Sequence, residues 1–299
     1  MSAEVYVIKR YKSVLIICLA LLLCFFVIWA LINSTAQPAL LPSDAVLNVI
    51  VNDVGQGDSI LVTLGDETML IDAAEKHKSG EVLDELKKQA VDDIDILIVT
   101  HPHSDHIGGL KTVIDSYSID SVYIADTSSK TKTYSELIDA ISKKGIPVYE
   151  ACAGVTFSFG NASCAIVSPD KTAEYDANNE SVAVFLDYGD TEFLFTGDME
   201  KKAEDALIAS GYYIDADVLK VAHHGSSTGT SETFLNAVSP DWAAISCGKD
   251  NKYNHPHDET LDLLNVFGVK TYRTDIMGDI TFVSDGRNIN VITEKNGTE

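Results

Sequence analysis

The segment formed by residues 100–109 constrains this chain more than any other. It reads Thr-His-Pro-His-Ser-Asp-His-Ile-Gly-Gly, so four ligand side chains, those of His101, His103, Asp105 and His106, fall within six residues. Imidazole and carboxylate suit zinc, manganese or iron rather than calcium, and short irregular spacing of His and Asp is how a metal site appears in sequence. A solvated polar turn is the alternative, but it would not concentrate so many ligand residues. The segment therefore predicts a metal site.

The spacing of these four residues predicts a loop rather than a helix. Ligands at positions i, i+2, i+4 and i+5 cannot all share one helical face. The preceding stretch, residues 94–100, is apolar and rich in β-branched side chains, which favours a buried strand. We expect this strand to end in a loop that wraps around the metal.

Two later segments also end an apolar stretch with ligand residues. Asp198 follows Phe-Leu-Phe-Thr-Gly, and the pair His223 and His224 follows Val-Leu-Lys-Val-Ala. Polar ligands that arrive at strand ends from distant parts of the chain are what a site at the rim of a sheet requires. An aspartate after glycine is by itself typical of a turn. Together with the first segment, however, the pattern predicts Asp198 and His224 as metal ligands.

The N-terminal region predicts a membrane anchor. Residues 14–32 form an uncharged apolar run of 19 residues, long enough to cross a bilayer as a helix. Basic residues precede this run at positions 9, 10 and 12, so residues 1–13 are predicted to be a cytoplasmic tail and the remainder to lie outside the cytoplasm. The chain would then be a single-pass protein of the cell membrane. A cleaved signal peptide is the alternative, and it would export the same domain.

The rest of the chain predicts one α/β domain over residues 46–292, after a linker at 33–45 and before a C-terminal tail at 293–299. Each half of the domain begins with paired strands and continues with alternating strands and helices. This order predicts two sheets packed together with helices outside, a four-layer α/β/β/α sandwich preceded by one transmembrane helix.

Three cysteines lie beyond the apolar run, namely Cys152, Cys164 and Cys247. An odd number does not make a disulfide framework, and none of them is near the histidine clusters. A bridge between Cys152 and Cys164 across a hairpin is one alternative. Buried unpaired thiols are favoured.

The charge of the chain limits its partners. The formal net charge is −23 at pH 7, and the excess of acidic over basic residues is located C-terminal to the apolar run. Such a field repels polyanions over most of the surface, which argues against a broad nucleic-acid footprint. It does not exclude a phosphorylated substrate at a metal site, because divalent cations reverse the sign of the local potential.

The motifs, taken in order, resemble the metallo-β-lactamase superfamily of metal-dependent hydrolases. They are H-x-H-x-D-H, Leu-Ile-Asp72, Thr-Gly-Asp198 and His-His224-Gly. Within that superfamily, residues 53–59 (Asp-Val-Gly-Gln-Gly-Asp-Ser), 178–181 (Asn-Asn-Glu-Ser) and 220–226 (Lys-Val-Ala-His-His-Gly-Ser) resemble the hydrolase domain of ComEC-type DNA-uptake proteins. The resemblance runs from about residue 46 to 292.

The resemblance implies a site with two divalent ions, for which zinc is favoured and manganese or iron are also suited. It places His101 and His103 on one ion, and Asp105, His106 and His224 on the other. It makes Asp198 the bridge between the ions, and it makes Asp72 a carboxylate that orients a ligand histidine. The superfamily's third-motif histidine has no counterpart, because no histidine lies between His106 and His223. In the ComEC-like branch, Asn178 and Ser181 occupy the corresponding stretch.

Further residues are predicted to act on the substrate. If the strand before them continues, His223 faces away from His224, and is either a substrate contact or a support for a ligand. His255 and His257 flank a proline that prevents helix, and one of them is predicted to bind phosphate or donate a proton to the leaving oxygen. The alternative is a turn that caps the following helix. Ser226 offers donors to a phosphate. His223 and His257 are therefore the catalytic candidates, and Asn178, Ser181, Ser226 and His255 are the substrate-binding candidates.

The sequence as a whole predicts a membrane-anchored, extracytoplasmic dinuclear metallohydrolase that cleaves phosphoesters, and phosphodiesters in particular. The resemblance favours a nuclease that acts on DNA, whereas the acidic charge favours an esterase acting on a cell-wall polymer such as a phosphorylcholine-bearing teichoic acid. A lactam or lactone hydrolase is another alternative, which the missing third-motif histidine disfavours. Outside enzymes, the alternative is a metal-binding surface sensor.

Overall fold

The computed structural model describes residues 46–173 and 175–296. The predicted membrane span at 14–32, its tail and the linker lie outside the described residues. Within the described part of the chain, no helix is both long and apolar enough to cross a membrane.

Two mixed sheets account for the strands in the described residues. Their bounds are β1 (Leu47–Val51), β2 (Ile60–Leu64), β3 (Glu67–Ile71), β4 (Ile94–Val99), β5 (Ile119–Ile124), β6 (Val148–Glu150), β7 (Thr156–Phe159), β8 (Ala162–Ser168), β9 (Ala183–Tyr188), β10 (Thr191–Phe195), β11 (Val218–Lys220), β12 (Trp242–Ile245), β13 (Lys270–Arg273), β14 (Ile280–Ser284) and β15 (Ile289–Thr293). The first sheet has the order β15-β14-β1-β2-β3-β4-β5-β6, and the second has the order β13-β12-β11-β10-β9-β8-β7.

Helices cover one face of each sheet. Their bounds are α1 (Ser79–Lys88), α2 (Ser104–Ile107), α3 (Leu110–Ser116), α4 (Lys132–Lys144), α5 (Lys201–Ser210), α6 (Glu232–Val238), α7 (Asp258–Val266) and α8 (Thr274–Met277). Apolar side chains of α1, α3 and α4 share one buried cluster with the first sheet, and those of α5, α6 and α7 share another with the second sheet. The predicted α/β sandwich of two sheets is confirmed.

The central strands are buried on both faces, which requires a layer on each side. In β4, every residue except Asp95 is buried, and in β10 every residue except Glu192 is buried. The β4 strand lies parallel to both β3 and β5, whereas β10 is antiparallel to β9 and parallel to β11. The carboxyl ends of neighbouring parallel strands meet at one edge of a sheet, and this edge carries the polar residues discussed below.

The two halves of the chain, from whose patterns two sheets were predicted, do not correspond strictly to the two sheets. The C-terminal hairpin of β14 and β15 joins the first sheet, where β14 pairs antiparallel to β1 with Val49 opposite Phe282. The pairing of strands this far apart cannot be predicted from local sequence, because a half-buried strand has the same alternation of apolar and polar residues whichever strand lies beside it.

The three cysteines of the described region, Cys152, Cys164 and Cys247, are free and buried, as predicted. Burial raises the pKa of the Cys247 thiol to about 12, so this thiol stays protonated and unreactive at neutral pH. None of the three contributes to the site described next.

Candidate metal centre

The segments that follow β4, β10 and β11 meet over an open cavity of about 340 Å³, together with two further loops. The residues that line this cavity are Gln56, His103, Ser104, Asp105, Asp198, His223, His224, Tyr253 and His255. Six of the nine carry an imidazole or a carboxylate, so the lining suits cations rather than an apolar ligand.

Asp198 lies at the centre of this cluster and is only 2% exposed. Its Oδ1 is 3.2 Å from His106 Nε2 and 3.5 Å from His224 Nε2, and its Oδ2 is 3.6 Å from His101 Nε2. The backbone N–H of Asp198 donates to Ser181 Oγ at 3.1 Å, which holds the turn after β10 in place. One carboxylate therefore faces ring nitrogens on both of its oxygens.

Acceptors behind three of the rings fix which nitrogen carries the proton. His106 Nδ1 donates to Asp72 Oδ2 at 2.7 Å, and His224 Nδ1 donates to the carbonyl of Ser246 at 3.0 Å. Thr100 Oγ1 donates to Asp72, so it accepts from His101 Nδ1 at 3.1 Å. In its neutral form each of these three rings presents the lone pair of Nε2 to the Asp198 carboxylate, and this is the form that binds a metal.

Asp72 lies behind the ligand cluster rather than in the cavity. It is fully buried, and its other oxygen accepts from the backbone N–H of Thr100 at 3.0 Å. A carboxylate with these partners orients His106 directly and His101 through Thr100. The role of Thr100 was not predicted from the sequence.

Unpartnered buried atoms show that the donor set fits divalent ions. His106 Nε2, Asp198 Oδ1 and His224 Nε2 are buried and make no hydrogen bond. Such atoms cost free energy unless a ligand satisfies them. The potential ligand atoms form three overlapping groups, each within 4.8 Å: His101 with His106 and Asp198, Asp105 with His106 and His224, and Asp58 with Asp198 and His224. Nitrogen and carboxylate donors in this arrangement suit zinc, manganese or iron.

The electrostatics of the cluster also favour added positive charge. Burial alone would lower the pKa of His224, but the carboxylates of Asp198, Asp105 and Asp58 outweigh it and raise the pKa to about 9. Burial would raise the pKa of Asp198, but the neighbouring His106 and His224 hold it well below its usual range. Without a metal the cluster therefore holds protons, and a cation must displace them to bind.

The residues of the first motif do not all lie on a loop, contrary to the sequence prediction. Asp105 and His106 lie on the short helix α2, and His103 precedes it with an extended backbone. The spacing argument considered only one helix or one loop for all four residues. An extended segment followed by a single helical turn can also bring Asp105 and His106 to the same side of the backbone as the preceding histidines. His103 Nδ1 is 3.0 Å from His101 Nε2, and Asp105 Oδ2 is 3.5 Å from His224 Nε2.

His223 was expected to face away from His224 only if the strand continued through both residues, and this condition is not met because β11 ends at Lys220. His223 and His224 both have left-handed backbone conformations, with φ of 49° and 56°, in a tight turn. Alternation of side chains between two faces holds only while the strand continues. Both imidazoles therefore line the same cavity.

The two histidines around Pro256 have different positions. His255 is 9% exposed and lines the cavity, whereas His257 does not line it. His257 Nδ1 accepts from the backbone N–H of Ser227 at 3.0 Å, and His257 Nε2 donates to the carbonyl of Tyr253 at 3.2 Å. His257 occupies the N-cap position of α7. Its position therefore favours the alternative prediction, a structural residue of the turn before this helix, over a proton donor.

The predicted substrate contacts at Asn178, Ser181 and Ser226 do not line the cavity either. Ser181 is fully buried beneath Asp198, and Ser226 is 3% exposed with its hydroxyl 3.0 Å from Thr228 Oγ1. Asn178 Nδ2 donates to Glu200 Oε1 at 3.1 Å. All three support the loops that carry ligand residues.

Sequence reasoning missed a buried ion pair beside the cluster. Lys220 Nζ donates to Asp58 Oδ2 at 2.7 Å, and both side chains are no more than 2% exposed. Asp58 Oδ1 also lies 3.4 Å from His224 Nδ1. The signal was present, since a lysine inside the apolar run Val-Leu-Lys-Val-Ala needs a buried partner.

The loop of residues 53–59 approaches the first motif closely. Asp58 N–H donates to the carbonyl of Asp105 at 3.1 Å, and a Cβ on Gly57 would lie only 2.3 Å from the same oxygen. Gly57 also has a φ of +136°, so glycine is required at this approach. The loop also places Gln56 in the cavity.

Comparison with known proteins agrees with this geometry. The model of the metallo-beta-lactamase superfamily matches residues 52–249. ComE operon protein 3 of Bacillus subtilis (strain 168) is 30% identical over 77% of this chain and 32% of its own length. Competence protein ComA of Neisseria gonorrhoeae is 29% identical over 78% of this chain and 32% of its own length. The chain thus spans about a third of the length of these curated relatives.

Solved structures share the fold at low sequence identity. The metallo-beta-lactamase fold protein YhfI from Bacillus subtilis superposes with a TM-score of 0.54 at 14% identity, over 81% of this chain and 100% of its own. Tm1679, a metal-dependent hydrolase of the beta-lactamase superfamily, gives a TM-score of 0.52 at 13% identity, over 76% of this chain and 95% of its own. At such identities the likeness concerns the fold alone.

Proposed function

Because the chain belongs to the metallo-beta-lactamase superfamily, we propose that it is a dinuclear metal-dependent phosphodiesterase, anchored in the cell membrane by residues 14–32 with its domain outside the cytoplasm. The observation that carries this proposal is the cluster around Asp198, where ring nitrogens face both oxygens of one buried carboxylate. A carboxylate in that position can bridge two cations. Zinc is the favoured metal, with manganese or iron as alternatives.

The described side chains divide into ligands and supports. His101 and His103 would hold one ion, Asp105, His106 and His224 would hold the other, and Asp198 would touch both. Divalent ions in such a pair supply Lewis acidity, which lowers the pKa of water and offsets the negative charge that develops on a phosphoryl group. Asp72, Thr100 and the Ser246 carbonyl are the supports, because their hydrogen bonds orient the ring nitrogens.

His255 is the side chain best placed to contact the substrate. The backbone N–H of Gly248 donates to Gln56 Oε1 at 3.2 Å, which turns the amide Nε2 of Gln56 toward His255 Nδ1 at 3.4 Å. An amide nitrogen only donates, so His255 Nδ1 accepts and the ring proton lies on Nε2. His255 thus offers an N–H donor at the cavity, suited to a phosphoryl oxygen.

A nucleic-acid strand is the substrate that we favour. Two relatives, a competence protein and a recombination protein, align over 78% and 76% of this chain at 29% and 30% identity. The cavity is open and lined by polar groups, as a polymer substrate requires, and Tyr253 stands at its rim with 48% of its surface exposed. An exposed ring of this kind is suited to stack against a nucleobase.

The acidic surface favours a second candidate, an esterase acting on a cell-wall phosphoester. With a formal net charge of −23, the chain repels a long polyanion, whereas a zwitterionic phosphorylcholine group would not be repelled. Under this alternative the metal centre is unchanged and only the leaving group differs.

A panel of substrates would test the proposal. The purified full-length chain, supplied with Zn²⁺ or Mn²⁺, would be assayed on single-stranded DNA, bis-p-nitrophenyl phosphate, p-nitrophenyl phosphorylcholine and nitrocefin. We expect hydrolysis of the first two, and its loss on chelation. Hydrolysis confined to the phosphorylcholine ester would favour the cell-wall candidate, and hydrolysis of nitrocefin alone would contradict a phosphodiesterase.

Replacing His255 by alanine is expected to lower kcat/KM on the order of 10- to 100-fold, the range for one hydrogen bond to a charged group. Burial, with the neighbouring His224 and His223, lowers the pKa of His255 to about 4, so the ring is neutral and donating throughout pH 6–9. The loss should therefore be the same at each pH in that range, measured as a pH profile of both proteins.

The matched control is His257→Ala, since this ring is outside the cavity and both its nitrogens bond to backbone groups. We expect it to change kcat/KM less than His255→Ala does. If His257→Ala lowered kcat/KM more than His255→Ala, His257 would again be the candidate proton donor. If the effect of His255→Ala disappeared at high pH, His255 would act as a proton donor rather than as a neutral hydrogen-bond donor.

A further inference from the structure

The first metal position lacks one histidine when judged by the sequence motifs. No histidine lies between His106 and His223, so His101 and His103 have no third-motif partner in the chain order that the superfamily uses. The three-dimensional arrangement brings another imidazole, that of His223, close to Asp198. His223 Nε2 is 3.8 Å from Asp198 Oδ2, the same oxygen that His101 Nε2 approaches at 3.6 Å.

The support behind His223 repeats the support behind His101. Thr228 Oγ1 donates to Glu200 Oε1 at 2.9 Å, so it accepts from His223 Nδ1 at 3.1 Å. Glu200 Oε1 itself lies 3.2 Å from the same Nδ1. His101 has a threonine and a carboxylate in the same relation, namely Thr100 and Asp72. In both cases the proton is held on Nδ1, and the lone pair of Nε2 faces Asp198.

The backbone fixes this orientation. The N–H of His223 donates to the carbonyl of Gly197 at 3.1 Å, which ties the histidine turn to the turn that carries Asp198. Because His223 and His224 are both left-handed, their neighbouring rings reach opposite oxygens of Asp198, with His223 toward Oδ2 and His224 toward Oδ1.

We propose that His223 is the third imidazole ligand of the first metal ion, beside His101 and His103, and that Glu200 and Thr228 position it. This inference rests on the proposed dinuclear centre. It replaces the role of His223 in contacting the substrate by a role in holding metal. His255, on the same rim, is a useful contrast because its Nδ1 accepts from Gln56, which leaves a protonated Nε2 that cannot bind a metal.

Metal stoichiometry tests the proposal without any measurement of activity. The full-length chain and its variants would be dialysed against a fixed concentration of free Mn²⁺ or Zn²⁺, and the bound metal measured by mass spectrometry. We expect about two ions per chain for the wild type and about one for His223→Ala. The His255→Ala control should keep two, and circular dichroism of the metal-free proteins would verify folding.

A second variant keeps the test independent of any folding defect in His223→Ala. Glu200→Gln retains the shape of the side chain but removes the charge behind the ring, and we expect it to weaken binding of one ion by about 10- to 100-fold. Two ions bound with wild-type affinity in both variants would overturn the role of His223 while the dinuclear centre stands. Fewer than two ions in the wild type would overturn both.

Discussion

Replacing Asp198 by asparagine is expected to remove bound metal and to lower hydrolysis by at least about 10³-fold. Among the described residues, Asp198 is the one carboxylate whose two oxygens both face ring nitrogens, at 3.2–3.8 Å. Asparagine keeps the shape but loses the negative charge and one oxygen, so both ions lose an anionic ligand. Metal content and the rate on bis-p-nitrophenyl phosphate would be measured on the same preparation.

The matched control for this change is Asp187→Asn, which alters an exposed carboxylate on β9. We expect wild-type metal content and rate from it. If Asp198→Asn bound two ions as tightly as the wild type, Asp198 would not be the bridge, and the centre would have to be reassigned around another carboxylate of the cluster.

The Lys220→Met variant is expected to destabilise the metal-free fold by about 3–5 kcal/mol, because it leaves the Asp58 carboxylate buried without its cation. Burial would raise the pKa of Asp58, but Lys220 and His224 outweigh it and hold the pKa below its usual range. A lowered carboxylate pKa stabilises the fold above about pH 4, and this contribution is lost as the pH falls further. Urea unfolding at pH 7 in the presence of a chelator, monitored by circular dichroism, would measure the change in the free energy of unfolding.

Two comparisons make this prediction specific to burial. Lys201→Met breaks an exposed ion pair with Asp205 and should stay within about 1 kcal/mol of the wild type. The double variant with Lys220→Met and Asp58→Asn should recover part of the loss, since it removes the uncompensated charge. An effect of Lys220→Met no larger than that of Lys201→Met would show that the buried pair contributes little.

Local patterns predicted most of the secondary structure. The residue pattern predicts a helix over 258–266, and α7 has these bounds. It also predicts a hairpin around residues 188–191, which β9 and β10 form. The sequence did not predict α8 at Thr274–Met277, nor the attachment of β14 to β1 in the first sheet. Four residues are too few to show a helical period, and a sheet partner more than 200 positions away leaves no mark on the pattern.

The chemistry of the candidate ligands could be predicted because ligand identity is a property of the residue itself. His101, His106 and His224, chosen from motif and strand-end position, do come together around Asp198. The supports could not be predicted, because they depend on which polar atom lies behind each ring. Thr100 and the carbonyl of Ser246 are examples.

The sequence by itself determined that candidate metal ligands lie at strand ends in an α/β sandwich, since residue chemistry and apolar periodicity are local properties. Only the tertiary structure decided which of two neighbouring histidines lines the cavity and in which direction each ring points. It placed His255 rather than His257 in the cavity, and it turned His223 toward Asp198 because the strand ends at Lys220 and a left-handed turn begins. The direction of a side chain depends on the backbone conformation that long-range packing imposes, and a list of residues does not contain it.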